Sequence, residues 1–381
     1  MMLAYKAFTK YLLLMLSAIV LTACTPDPQG DIPLFKQYIE QNINKSSDDP
    51  HISALVKPGD DLYEYLSKMQ RGLGYRSILV PLIEQGNTEA MVWMGRGNSN
   101  QLELRGETIA LLGRAMQAGD PFAALALSDG GEECWVFGQN SLSTTVANAL
   151  GEEVPSDIET CSDKNWHVAQ KGFKQLAAQG DLSAQYYLLR RERIDNPDET
   201  RESRDYYIKE IIRLAEGHYY KPMMDYVHSL FEKKGKSYQL TGRTPELEKM
   251  GIDLLTIAAN HNYIPAITFL IEYRKDSITK NDPLFYKGES LGSAISIRWQ
   301  MRMFTKKDRK TLTPSEIYYH ALTYKYLTGG SDRMFDYYYE PDSLAGEDIV
   351  SIEQKAKIAS QKITPMVYLD RFTLRTDWVE R

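Results

Sequence analysis

The sequence is poor in the residues and motifs on which most enzymes depend. Of its 381 residues, only six are histidine and three are cysteine. It contains no GxSxG nucleophile elbow, no HExxH, no Walker A loop and no GxGxxG after a strand. No His or Cys pair has zinc-finger spacing, and no acidic run has the pattern of a calcium loop. We therefore expect no catalytic residues, no metal and no cofactor, and we predict that the protein is not an enzyme.

An excess of positive charge and a β-type pattern are also missing. The chain carries 45 basic and 51 acidic residues, for a formal net charge of −6. Nucleic-acid-binding proteins concentrate basic residues on one face, so this balance argues against a nucleic-acid partner. No stretch alternates apolar and polar residues for long enough to indicate a sheet. The prediction that remains is an all-α chain.

The N-terminus carries the pattern of a bacterial signal peptide. Lys6 and Lys10 come before an apolar core over residues 11–20, and no acidic residue occurs before Cys24. This core is shorter than the roughly 20 residues that a membrane-spanning helix needs. The pattern predicts a signal peptide over residues 1–23. An ordinary secretory signal followed by a chance cysteine is the alternative.

The end of this segment is more specific. Leu21, Thr22, Ala23 and Cys24 resemble the lipobox of bacterial lipoproteins. The resemblance implies cleavage before Cys24 and attachment of lipid to it, and several acyl chains together anchor a protein firmly. Thr25 is not the aspartate associated with retention in the inner membrane, so the resemblance implies the outer membrane, facing the periplasm. Residues 24–35 are expected to form a lipidated tether.

Cys134 and Cys161 remain once Cys24 is assigned to lipid. An even pair in an oxidising compartment predicts a disulfide, worth about 3 to 4 kcal/mol in the chain-entropy model. Two free buried thiols are the alternative. The pair lies in an irregular stretch that we expect to be an insertion near 128–165.

A nine-residue pattern recurs five times along the chain. Each segment begins with an apolar residue, usually has Gly or Asn fifth, and ends on a small or apolar residue. The segments are Leu82–Ala90, Ala115–Ala123, Leu176–Ala184, Ala215–Met223 and Ala258–Ala266. Gly or Asn at the fifth position suits the left-handed residue that ends a helix, so each segment predicts helix, turn and helix. In the fourth, Tyr219 occupies that position, and we expect Gly217 to shift the turn by two residues.

This pattern resembles the Sel1-like repeat, a relative of the tetratricopeptide repeat. The best matches are Ala177, Ala178, Gly180, Ala184, Tyr187 and Leu188. The resemblance implies an alpha-alpha superhelix, or solenoid, of helix–turn–helix repeats over 36–276. Residues 277–381 are expected to form an irregular helical region that caps the solenoid.

Two groups of residues are candidates for contact with a partner. Glu132 and Glu133 lie beside the predicted disulfide and are either a charged contact surface or a solvated loop. Tyr337, Tyr338 and Tyr339 follow one another in a loop-like stretch. Because tyrosine is frequent both in interfaces and in packing between repeats, both interpretations stay open for these three residues.

The predicted location and architecture favour binding over catalysis. Solenoids present extended surfaces to proteins. Envelope lipoproteins with Sel1-like repeats are found among the cognate inhibitors of phospholipase effectors delivered by type VI secretion. The resemblance therefore implies an immunity protein that binds and blocks such a toxin in the periplasm. The alternative is a scaffold lipoprotein that recruits envelope or cell-wall proteins.

Overall fold

The structure is a computed structural model that describes residues 27–73, 76–137, 142–152, 155, 157–234, 237–239, 244–305, 311–330, 344 and 348–380. Within these ranges it has eighteen α-helices and one hairpin of two three-residue strands. The prediction of an all-α chain is confirmed. The signal peptide, Cys24 and Tyr337–Tyr339 lie outside the described residues. None of the described helices has both the length and the hydropathy needed to cross a membrane.

The first ten helices range from four to sixteen residues in length. They are α1 Ile32–Asn42, α2 Tyr63–Gln70, α3 Val80–Glu84, α4 Thr88–Asn98, α5 Arg105–Gln117, α6 Pro121–Ala126, α7 Cys134–Phe137, α8 Leu142–Ala149, α9 Asp163–Ala178 and α10 Leu182–Asp195.

Eight helices and the hairpin follow. They are α11 Arg201–Glu216, α12 Lys221–Leu230, β1 Glu232–Lys234, β2 Ser237–Gln239, α13 Pro245–Asn260, α14 Ile264–Tyr273, α15 Pro283–Ser290, α16 Ala294–Phe304, α17 Pro314–Thr328 and α18 Ile349–Lys362. From α4 onward each helix packs on the next in chain order, except that α6 packs directly on α9 across the insertion. We refer to this series as the helical array.

Six tight turns with one geometry join helices within the array. The left-handed residues are Gly86, Gly119, Gly180, His218, Asn262 and Gly292. After each, the next amide donates to the carbonyl five residues earlier, as from Asn87 to Leu82 and from Ser293 to Gly288. This is the Schellman motif, which satisfies carbonyls that the end of a helix leaves free.

The structure corrects the sequence pattern at two of these turns. In the fourth, the left-handed residue is His218 at φ 61°, so the turn shifts by one residue and Gly217 keeps a negative φ. The sixth turn, at Gly292, was not predicted, because Gly288 and Ser296 stand where the other segments have an apolar residue and a small apolar one. A Cβ on Gly288 would collide with Ser296, so the close helix approach is retained with different residues.

Two apolar cores stabilise the array. One lies among α2–α6 and α9, with Trp93 and Phe173 at its centre. The other extends from α1 and α10 to α17 and includes Ile211 and Leu254. Helix α1 packs on α11 and α13, far from it in the chain, and Phe35 contacts Tyr226 with ring centroids 5.0 Å apart.

The described part of the expected tether is folded. Residues Pro28–Asp31 form a 3-10 helix that leads into α1. The carboxylate of Asp31 is fully buried, where Arg204 donates to both of its oxygens and Tyr226 donates a third hydrogen bond. A buried charge is tolerated only when paired and hydrogen-bonded in this way. The chain is therefore docked on the array from Pro28 onward, rather than loose up to residue 35.

Cys134 and Cys161 are joined by a disulfide, with their Cα atoms 5.1 Å apart. The bond closes the stretch between α6 and α9, which contains the short helices α7 and α8. The carbonyl of Phe137 accepts a hydrogen bond from Arg105, the first residue of α5. The insertion is thereby attached to the array at the start of α5 as well as at the start of α9.

Candidate functional site

The chain ends in a segment that lies inside the helical array. Residues 363–380, which we call the C-terminal tail, follow α18 and have one 3-10 turn at Arg375–Asp377. Five of its residues are almost completely buried: Met366, Val367, Leu369, Asp370 and Trp378. The first belongs to one apolar core and Val367, Leu369 and Trp378 belong to the other, so the tail joins the two cores.

Gln70, at the end of α2, holds the main chain of the tail. The side-chain nitrogen of Gln70 donates to the carbonyl of Met366 at 3.0 Å, and its side-chain oxygen accepts from the amide of Tyr368 at 3.0 Å. The main-chain carbonyl of Gln70 accepts from the main-chain amide of Glu380 at 2.8 Å. Val367 also pairs with Val56 in an antiparallel bridge. The tail is thus fixed as an added strand would be, through its backbone.

Arg96 fixes the next stretch of the tail. Its guanidinium donates to the carbonyl of Arg371 at 2.7 Å and to that of Thr373 at 3.2 Å. The same group pairs with Glu133 at 2.6 Å and with Glu132 at 3.3 Å. Glu133 is only 4% exposed, and its carboxylate is paired with Arg96. Both glutamates border a cavity, and Glu132 is the more exposed of the two.

One ion pair and one hydrogen bond also link the tail to turns of the array. Arg371 donates to both carboxylate oxygens of Asp120, which follows the left-handed Gly119. The hydroxyl of Tyr219, after the left-handed His218, donates to Asp370 at 2.8 Å. Burial and the neighbouring Asp370 carboxylate raise the pKa of Tyr219 well above its ordinary value, so it stays a donor.

The aromatic ring of Phe372 anchors the centre of the tail. It stacks on Tyr187 of α10 at 4.5 Å and contacts Phe122 of α6 and Phe173 of α9. Three helices from two successive repeats therefore meet on one tail side chain. Such aromatic contacts contribute roughly 0.5 to 1.5 kcal/mol each beyond burial.

Two neighbouring cavities lie over this part of the tail. The larger, of about 900 Å³, is bounded by α10, the loop after it, α11 and the tail. The smaller, of about 360 Å³, is bounded by α10, Trp166 of α9 and the residues around Glu132. Both are lined by Arg190, Ile194, Phe372 and Leu374, so they adjoin each other at these side chains, and we call the two together the tail groove.

The rim of the tail groove combines cationic and apolar groups. Ile194 and Leu374 are each more than half exposed. The guanidinium of Arg190 lies over the ring of Tyr186, and that of Arg193 lies 3.9 Å from the ring centroid of Tyr207. The groove also has acidic residues, among them Glu192 and Asp377. This mixed lining suits a protein segment better than a uniformly charged or uniformly apolar ligand.

The sequence did not point to these residues. Arg190, Arg191 and Arg193 read as an ordinary basic end of a helix, where cations are favoured. Leu374 lies in a stretch without periodicity. The one usable signal was Ile194, an apolar residue among five charged ones at 190–195. Among the predicted contact residues, Glu132 is at the groove, Glu133 is buried beside it, and Tyr337–Tyr339 are outside the described residues.

No family model, no curated protein and no solved structure matches the chain. In the part of the chain that the structure describes, no three His, Cys, Asp or Glu side chains come together as a metal site. The assignment of a function therefore rests on the tail groove and on the sequence patterns given above.

Proposed function

We propose that this protein is an envelope lipoprotein, lipidated at Cys24 in the outer membrane and facing the periplasm, that binds and blocks a secreted toxin. On this proposal the helical array is a solenoid of Sel1-like repeats. The toxin is of the phospholipase class delivered by type VI secretion. The observation that supports binding most directly is the tail groove, whose two cavities meet at Arg190, Ile194 and Leu374.

The openness and lining of the groove favour a protein ligand. The volume of its larger cavity is within the range of small-molecule sites, but both cavities are open to solvent rather than enclosed. Arginine and tyrosine, which are frequent among the residues that dominate protein interfaces, occur together on its wall as Arg190 with Tyr186 and Arg193 with Tyr207.

The tail makes the groove rigid before any partner arrives. Phe372 is packed among three aromatic rings, and the backbone on either side of it is held by Arg96. A preformed site loses less conformational entropy on binding than a mobile one. Tight inhibition of a toxin by steric cover of its catalytic cleft is consistent with such a site.

The first test is competition between sibling cells. Deletion of the gene is expected to make cells sensitive to attack by their toxin-delivering siblings, and the wild-type gene restores resistance. The double variant Arg190→Ala and Ile194→Ser should restore much less, because it removes the cation and the apolar side chain shared by both cavities. Val350→Ser is the matched control, since Val350 is exposed on α18 and does not line the groove.

A pull-down with the same variants tests the mechanism. The mature chain is expected to retain a secreted lipase at a one-to-one ratio, and the double variant should lose it at unchanged melting temperature. Full resistance of deletion cells to sibling attack would refute the immunity proposal. Recovery of resident cell-wall or secretion enzymes instead would favour the scaffold alternative.

A further inference from the structure

The connections between successive repeats lie at one edge of the helical array. Helix α10 ends at this edge and α11 begins there, after the loop 196–200. The guanidinium of Arg191, near the end of α10, lies 4.8 Å from the ring centroid of Trp166, near the start of α9. The starts of α9, α11 and α13 are therefore on the same side of the array, which we call the connection edge.

The N-terminal residues of the described chain lie at the connection edge. The carbonyl of Gly30 accepts from Arg201, the first residue of α11, at 2.8 Å. The side chain of Gln29 bonds at 2.6 Å to Thr244, which caps α13. Cys24 precedes Asp27 by three residues, and three residues of extended chain reach at most about 10 Å. A lipid on Cys24 would therefore leave the protein from this edge.

The disulfide-linked insertion lies at the same edge. Its last residue, Ser162, caps the start of α9, and Phe137 is bonded to the start of α5. Three of its large apolar side chains face solvent: Trp135 is 67% exposed, Leu142 79% and Leu150 59%. Nothing in the described residues covers them, although apolar groups of this size gain about 25 cal/mol for each Å² removed from water.

We propose that the connection edge rests on the lipid bilayer and that Trp135, Leu142 and Leu150 insert into its interface. This inference rests on the proposed lipid anchor at Cys24, which supplies the primary attachment. Tryptophan and leucine are favoured at the boundary between headgroups and acyl chains. Because the anchor holds the insertion near the surface, a weak second contact is enough to fix the orientation.

The negative charge of the insertion determines which lipid headgroups it can approach. Between Ser128 and Ser162 there are seven acidic residues and no lysine, arginine or histidine. An anionic surface would repel this segment within a Debye length of about 8 Å. The bilayer that fits is one of zwitterionic headgroups such as phosphatidylethanolamine. The loop at Asn196 and Pro197 lines the tail groove, so a bound partner would lie beside the membrane.

The test uses the mature chain from Thr25 with an N-terminal hexahistidine, bound to zwitterionic vesicles that carry a nickel-chelating lipid. The protein is then anchored whether or not cells lipidate Cys24. Lipids brominated in the acyl chain should quench part of the tryptophan emission of the wild type. Trp135→Phe should remove most of that quenching, with any remainder from Trp166 at the same edge, and Leu142→Ser with Leu150→Ser should reduce it severalfold. Replacing part of the lipid with an anionic one should also reduce it.

A tryptophan on the opposite edge is the matched control. Leu55 is 43% exposed and lines a cavity with Gly180 and Asp181, at the turn between α9 and α10. The variant Trp135→Phe with Leu55→Trp is expected to show no more quenching than Trp135→Phe. Equal quenching of wild type and Trp135→Phe, or quenching from position 55, would overturn the proposal. Iodide quenching of Trp135 gives a second readout. If the bound toxin protects Trp135 from iodide and vesicles do not, the exposed side chains of the insertion contact the partner and not the membrane.

Failure of the anchor would be seen separately. Incorporation of radiolabelled palmitate in cells should occur in the wild type and be lost in Cys24→Ala. Loss of labelling in the wild type would refute the lipoprotein proposal, whereas the vesicle experiment reports only on the insertion.

Discussion

The turn at Gly180 differs from those at Gly86, Gly119, His218 and Gly292 in what holds it. At Gly180, the following Asp181 caps the next helix through its own side chain, and the bonds that hold the turn span only a few residues. At the other four, a tail residue adds an ion pair or a hydrogen bond from more than eighty residues away in sequence. One backbone motif is therefore stabilised locally in one repeat and by residues far along the chain in the others.

Asp120 gives the largest expected difference between these two groups. It caps α6 and also pairs with Arg371, whereas Asp181 only caps α10 and orients Ser183. Asp120→Ala should lower the free energy of unfolding by about 3 kcal/mol, because it removes the cap of α6 and leaves Arg371 with only the carboxylate of Glu89, 3.9 Å away. Asp181→Ala should cost about 1 kcal/mol. Urea unfolding at constant m-value measures both, and equal losses would contradict the distinction.

The turn at Gly292 should depend on pH through the tail. Glu380 accepts from the amide of Ile295 and the hydroxyl of Ser293, and burial raises its pKa to about 7 from 4.5. The folded state then holds a proton that the unfolded chain has lost. The free energy of unfolding should fall as pH rises from about 4.5 to 7, by roughly 3 kcal/mol, and then level off.

Glu380→Gln should remove most of this slope, since the amide does not titrate. Glu84→Gln, at an exposed site on α3, is the control and should keep the wild-type slope. Melting temperatures measured between pH 4.5 and 8 decide the point. A wild-type slope in Glu380→Gln would assign the pH dependence to another group.

The smallest effect is expected at His218. It adopts φ 61°, which glycine accepts more readily than histidine, so His218→Gly should stabilise the fold by about 0.5 kcal/mol after loss of its contact with Tyr220. Gly180→Ala should destabilise it by about 1 kcal/mol, although a Cβ there meets no atom within 4 Å. Thermal unfolding of both variants compares the turns, and a shift in the same direction would contradict the expectation.

Sequence was sufficient where a turn obeys a local rule. Gly86, Gly119, Gly180 and Asn262 all take the left-handed conformation at the position where the repeat pattern predicts it. The pattern missed His218 because histidine rarely occupies that conformation. The disulfide was also predictable, because Cys134 and Cys161 are an even pair and the signal-peptide pattern predicts an oxidising compartment.

The tail groove could not be predicted in this way. Its floor depends on contacts such as that of Arg96 with the carbonyl of Arg371, which are 275 residues apart in sequence and leave no periodic trace. The residues after α18 show neither helical nor strand spacing, and they are read as an irregular end. Burial of Asp31 was missed for the same reason, because its partner Arg204 is 173 residues away. Long-range pairing of polar groups follows from the whole fold and not from a segment.

The position of Gln70 has a consequence for how the protein acquires its structure. Arrays of repeats can usually begin folding at any point and extend to their neighbours. Here Gln70 of α2 binds the backbone at Met366 and Tyr368, so neither core is complete until those residues have been made and have packed against α2. Closing a loop between residues 296 positions apart costs chain entropy that neighbour-to-neighbour packing does not, so this step should slow folding.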